Sequence, residues 1–117
     1  MDELVGRLAA ELGISRDVAE KAVGIILAFL IKEGPADKVQ ALLAQMPGAQ
    51  EAADANAGGG GMFGGIMGVG TQLMSAGLSM GEVQSAARIL LGYAREKVGE
   101  DTVSEIIAGI PGLSQFA

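Results

Sequence analysis

Apolar residues fall at Leu4, Val5, Leu8, Ala9 and Leu12, with polar residues between them. This i, i+3, i+4 recurrence predicts a short amphipathic helix. Asp2 and Glu3 stand at its start, where the helix dipole favours anions, and Gly13 ends it. Ser15 reads as the N-cap of the next helix, since its hydroxyl accepts from an unpaired backbone N–H. Asp17 follows in the first turn and makes an i, i+4 pair with Lys21. From Val18 to Ile31 the polar face almost vanishes. Val18, Ala22, Ile25, Ile26 and Phe29 fill one stripe; Ala19, Val23, Leu27 and Leu30 fill the next. A helix with so little polar face is a buried one. Gly34 and Pro35 stop it. A third helix is predicted from about Ala36 to Met46, with Val39, Leu42, Leu43 and Met46 inward, and Pro47-Gly48 closes it.

The same punctuation returns 64 positions later without a gap. Gly13 falls on Gly77, Ser15 on Ser79, Ala22 on Ala86, Leu27 on Leu91 and Asp37 on Asp101. Val39 falls on Val103, Ala44 on Ala108, and Pro47-Gly48 on Pro111-Gly112. Apolar positions also match in kind: Ile25 with Ile89, Phe29 with Tyr93, Leu42 with Ile106, Met46 with Ile110. Val5-Gly6 has a shadow in Val69-Gly70. Ser79-x-x-Glu82 forms a capping box at the second long helix. The pattern predicts an all-α fold: a bundle of six to seven helices built from two pseudo-symmetric three-helix repeats. The chain, 1–117, reads as a single helical domain, with repeat 1 at about 2–50, a Gly-rich linker at about 51–65 and repeat 2 at about 66–114. Each copy leaves an apolar face it cannot cover. Packing around a pseudo-two-fold axis puts the long helices, about 16–33 and 80–98, at the centre.

The segment from Ala55 to Gly81 contains no charged residue and many glycines. Its length alone suits a membrane span, but the glycine content, the central Thr71 and Gln72 and the lack of a basic flank argue against one. A phosphate cradle needs a preceding strand and a following Lys-Ser/Thr, and neither is present. Gly60, Gly64 and Gly68 have the spacing of close helix approach, a weak signal outside an apolar 20-residue run. The plainest reading is a flexible linker from Glu51 to about Gly61, then a Gly-loosened fourth helix. Met62, Phe63, Ile66, Met67 and Met74 also form a possible binding strip, because Met-rich surfaces adapt to partners. Gap-filling in the core is the competing role for each Met.

Composition narrows the chemistry. The chain has no Cys and no His, which removes disulfides, thiol catalysis, the usual zinc ligand sets and imidazole acid–base work. Fourteen acids against eight bases give a net charge of −6, and no basic cluster of a nucleic-acid footprint is present. Asp37 and Asp101, related by the 64-residue offset, offer a carboxylate pair for acid–base chemistry or an oxygen-ligand metal site. Their ordinary role is N-terminal cap or dipole partner of a short helix. Tyr93 reads as a core ring with its hydroxyl at the edge, and Arg88, standing where the first copy has Gly24, as an exposed side chain. No catalytic, cofactor-binding or metal site emerges. The start Met1-Asp2-Glu3 lacks the basic opening of a secretory signal, and absence of Cys fits the cytoplasm.

The Leu-Gly-Ile-Ser helix start at Leu12–Ser15, the Ala-rich long helix and the Pro-Gly ending at Pro47-Gly48, followed by a Gly-rich spacer and a second helix set, resemble small bacterial helical domains of unknown function, the VcgC/VcgE-like group and its relatives. The resemblance covers most of the chain. It implies a bacterial source and an all-helical fold, and no substrate.

The expectation is a soluble, cytoplasmic, non-enzymatic module. It acts by protein–protein contact, by self-association as a possible homodimer, or by binding a small apolar ligand between its halves. Two alternatives are peripheral membrane association through the uncharged Met/Gly segment, which the shortage of basic residues disfavours, and a metal-dependent enzyme using its acids.

Overall fold

A computed structural model describes residues 2–56 and 65–110. Among them are seven helices and no strand: α1 (Asp2–Leu12), α2 (Arg16–Glu33), α3 (Ala36–Ala44), α4 (Ala49–Asn56), α5 (Gly65–Ser75), α6 (Met80–Val98) and α7 (Glu100–Ala108). The fold is all-helical, as the periodicity predicts.

The helix starts follow from local chemistry. Ser15 caps α2 by accepting from the Val18 N–H at 3.2 Å. Ser79 accepts from the Glu82 N–H at 3.3 Å, and Glu82 returns the bond by accepting from the Ser79 N–H at 2.8 Å. This reciprocal box satisfies two donors that a helix start leaves free. Gly13, at φ +66°, reverses the chain after α1 in a conformation that disfavours side chains. α3 and α7 have no side-chain cap: their N-cap residues are Pro35 and Gly99. Asp37 and Asp101 are therefore not caps. Each is the second residue of its helix, in the first turn, where a carboxylate meets the positive end of the dipole.

The core is aliphatic. Leu4, Leu8, Val23, Leu27, Leu30, Val39, Leu42 and Leu90 have no exposed surface. α2 packs against α1, α3, α4, α5 and α6. Among the described residues no charged or polar side chain is buried, and no buried side-chain nitrogen or oxygen lacks a partner.

Two details differ from the sequence reading. The third helix stops at Ala44, and Met46 reaches the core from the turn after it, 1% exposed. Residues 51–56, read as the start of a linker, belong to α4. Ala49 and Ala53 are one turn apart, are buried, and let α4 lie close along α2. The Gln50 side-chain amide donates to Asp54 at 3.0 Å along its outer face. Residues 57–64 of the expected linker, and Pro111-Gly112, lie outside the described residues.

Two glycines give opposite expectations. A Cβ on Gly34 would stand 2.7 Å from the Leu30 carbonyl oxygen and 3.0 Å from Val39. A Cβ on Gly92, inside α6, meets nothing within 4 Å. Gly34→Ala should destabilise by about 1–3 kcal/mol through overpacking. Gly92→Ala should stabilise by up to about 1 kcal/mol through helix propensity. Urea unfolding of the two variants checks both; shifts of the same sign would contradict this packing.

Candidate functional site

The chemistry-bearing candidates occupy four separate places. The first is α5 and the turn after it. Val69 and Leu73 face inward, 8% and 1% exposed, where α5 packs on α2 and α6. Met74, on the outer side, is 49% exposed. Of the five strip residues, Met74 is thus on the surface. Ile66 and Met67 lie within α5, with side chains outside the described set, and Met62 and Phe63 lie outside the described residues. The sequence reading missed Met80, the first residue of α6, which is 62% exposed. Its place one residue after the Ser79 cap was the available signal, since first-turn side chains often miss the core. Residues 65–81 carry no charge, so this corner is uncharged on a chain of net −6, with Thr71, Ser75 and Ser79 exposed beside the methionines.

The second place is the shoulder formed by α1, α2 and α4. A cleft of about 310 Å³ is bordered by Asp2, Val5, Arg16, Glu20, Glu51 and Ala52. Beside it, about 220 Å³ lie among Asp17, Glu20, Lys21, Ala52 and Ala55. The Arg16 guanidinium stands 3.9 Å from Asp2. These clefts are polar at the rim and belong to the first half of the chain. They are not the apolar space between halves that the sequence suggested for a ligand.

The third place joins α1 to α6. Arg7 donates to Glu96 at 2.9 Å and to Glu3 at 3.4 Å. Its guanidinium sits 5.5 Å from the Tyr93 ring centre, and the Lys97 ammonium sits 5.2 Å from the same ring. Cations over an aromatic face are attracted by the ring quadrupole. Tyr93 itself is 4% exposed, a core ring. The hydrogen bond to Glu96, then its charge, raise the Arg7 pKa further above the ordinary guanidinium value; partial burial opposes this, and Glu3 and Tyr93 add to it. The arrangement links α1 to α6.

The fourth place is the α3–α7 end. Asp37 and Asp101 are exposed, one in the first turn of each helix. Among the described residues no group of three or more His, Cys, Asp or Glu is placed to hold a metal ion. Lys38 of α3 reaches Glu105 of α7 at 2.9 Å. That hydrogen bond, then the Glu105 charge, raise the Lys38 pKa above the usual lysine value, with burial opposing and Asp37 adding. Arg88 is exposed. No helix among the described residues is long and apolar enough to cross a membrane.

The chain matches no known family, no curated protein and no solved structure, so nothing bears on the resemblance to the VcgC/VcgE-like group.

Two outcomes follow for this end of the molecule. Replacing Asp37 and Asp101 by Asn should weaken each helix start by about 0.3–1 kcal/mol and leave a divalent-metal titration unchanged. A metal-dependent rise in Tm that the variant loses would show a metal site instead. Lys38 has a raised pKa in the folded state, so its stabilising contribution is complete below the ordinary lysine value. It is lost as the pH rises through the raised one. The Tm difference between wild type and Lys38→Met should close across that alkaline window; a constant difference would mean the ion pair adds nothing.

Proposed function

We propose that this chain is a non-enzymatic helical module that works by binding an apolar helix, a second copy of itself or a small apolar ligand. The observation that carries this reading is the uncharged corner of α5 and α6. Met74 and Met80 are the large apolar side chains exposed among the described residues, and they flank a run without charge. Exposed single apolar residues are ordinary, but two flexible thioethers on an uncharged strip suit an adaptable docking surface. The candidate carboxylates Asp37 and Asp101 are exposed, and among the described residues they join no group of three or more His, Cys, Asp or Glu placed to hold a metal ion.

The module is built, on this reading, from two pseudo-symmetric copies. Three observations support that. α2 and α6 start 64 positions apart, each behind a capping serine. α3 and α7 have matching lengths at the same offset. α1 packs on α6, and its counterpart α5 packs on α2, the exchanged relation that a two-fold produces. Each half then completes the other's core, which leaves the outer corner free for a partner.

The test is a native mass spectrum beside a denatured one, for wild type and for Met74→Asp combined with Met62→Asp and Phe63→Asp. A multiple of the chain mass, or an added non-covalent mass, should appear for wild type and disappear in the variant. A bound species that survives the three substitutions would reduce the strip to a linker.

A further inference from the structure

The two long helices share their punctuation and differ in their cover. α4 lies along α2, where Gly24 is buried and Ile25 is 4% exposed. At the corresponding positions of α6, Arg88 is exposed and Ile89 is half-buried. Gly81, Arg88, Gly92 and Arg95 recur at steps of seven, four and three, so they share one face of α6, opposite Val83, Ala86, Leu90 and Ala94 in the core. A Cβ on Gly81 or Gly92 would meet nothing within 4 Å. Interior glycines weaken a helix, and here no neighbour within the described chain uses the room they leave. Arg88, exposed, and Arg95, half-buried, form no ion pair among the described residues. Two unpaired guanidiniums thus border a low, open helix face on a chain of net charge −6.

The complementary surface is on the same molecule. Around the two clefts of the α1–α2–α4 shoulder stand Asp2, Asp17, Glu20 and Glu51, opposed by Arg16 and Lys21. That leaves an excess of two carboxylates facing solvent, against two free arginines on α6.

We propose that the α6 face of one copy docks on the α2–α4 shoulder of the next, with Arg88 and Arg95 directed to Asp17, Glu20 and Glu51. This deepens the reading of the chain as a binding module and rests on it, naming a second copy as partner. A contact between two different faces is heterologous, so it propagates into a ring or an open chain of copies. The net charges repel, but at about 0.1 M salt the screening length is about 10 Å. Repulsion between whole molecules is then muted, while pairs at contact distance persist.

Sedimentation of the intact protein over a hundredfold concentration range tests this. At about 0.1 M salt the average mass should rise above one chain with concentration, and it should fall back at about 1 M, where screening reaches contact distance. Arg88→Glu with Arg95→Glu should shift assembly to at least tenfold higher concentration, as should Glu20→Arg with Glu51→Arg. Mixing those two variants should restore it, because each then offers the face the other needs. Helical circular dichroism of each variant confirms folding, since the altered side chains lie outside the core. Wild type at one-chain mass throughout overturns the proposal, as does assembly that the charge reversals leave unchanged. Assembly lost on substituting Met74, Met62 and Phe63 but kept in Arg88→Glu with Arg95→Glu would keep the binding reading and discard this interface. Capture of a different acidic protein by a wild type that stays a single chain would likewise discard the second copy as occupant.

Discussion

Covering the middle of α2 is the constraint that the other helices answer. Ala22, Val23, Leu27 and Leu30 have no exposed surface, and Ile25 and Ile26 retain 4% each. With buried Gly24 and half-buried Ala28, these positions surround the middle of the helix, so that stretch must be enclosed, while Asp17, Glu20, Lys21, Lys32 and Glu33 leave its two ends at the water boundary. α1, α3, α4, α5 and α6 each take part of that circumference. Several of these are too short to persist alone: α4 has eight residues, and α3 and α7 nine each. Isolated helices of that length are marginal in water. They exist here because docking supplies the stability that nucleation withholds: α4 docks on α2, α3 on α2, α6 and α7, and α7 on α6 and α3.

Polar contacts act at the edges of this arrangement. Among the described residues the core holds no charge, and the ion pairs lie at the surface. Exposed pairs contribute little to stability. Their placement matters more than their strength: Arg7 ties α1 to α6 through Glu96 and Tyr93, and Lys38 ties α3 to α7. Both link segments far apart in the chain. They select one arrangement of helices whose aliphatic faces alone would tolerate others.

The surface divides by charge. The α5–α6 corner is uncharged and bears Met74 and Met80, the outer face of α6 is basic, and the α1–α2–α4 shoulder is acidic on balance. A binding module, as proposed, uses faces of this kind directly, with the aliphatic core serving only to hold them rigid.

Local chemistry made much of the fold legible beforehand. Periodicity and caps placed the long helices at 16–33 and 80–98, the bounds of α2 and α6, because helix period and N-capping depend on residues three and four apart. α4 escaped that logic: its only i, i+3, i+4 apolar positions are the alanines Ala49, Ala52 and Ala53, a weak stripe, and it becomes a core element through the fit of Ala49 and Ala53 against α2. Likewise nothing near Arg7 announces Glu96, 89 positions away. Of the binding strip, Met74 is on the surface, whereas exposed Met80 was marked only by its place after the Ser79 cap. The sequence by itself determined the long helices and their starts and which residues are apolar, but not α4. The tertiary structure alone decided which faces meet, since a helix carries its period in its own residues but its neighbours are set by packing. That difference separates buried Gly24 from exposed Arg88, two positions that the 64-residue offset aligns.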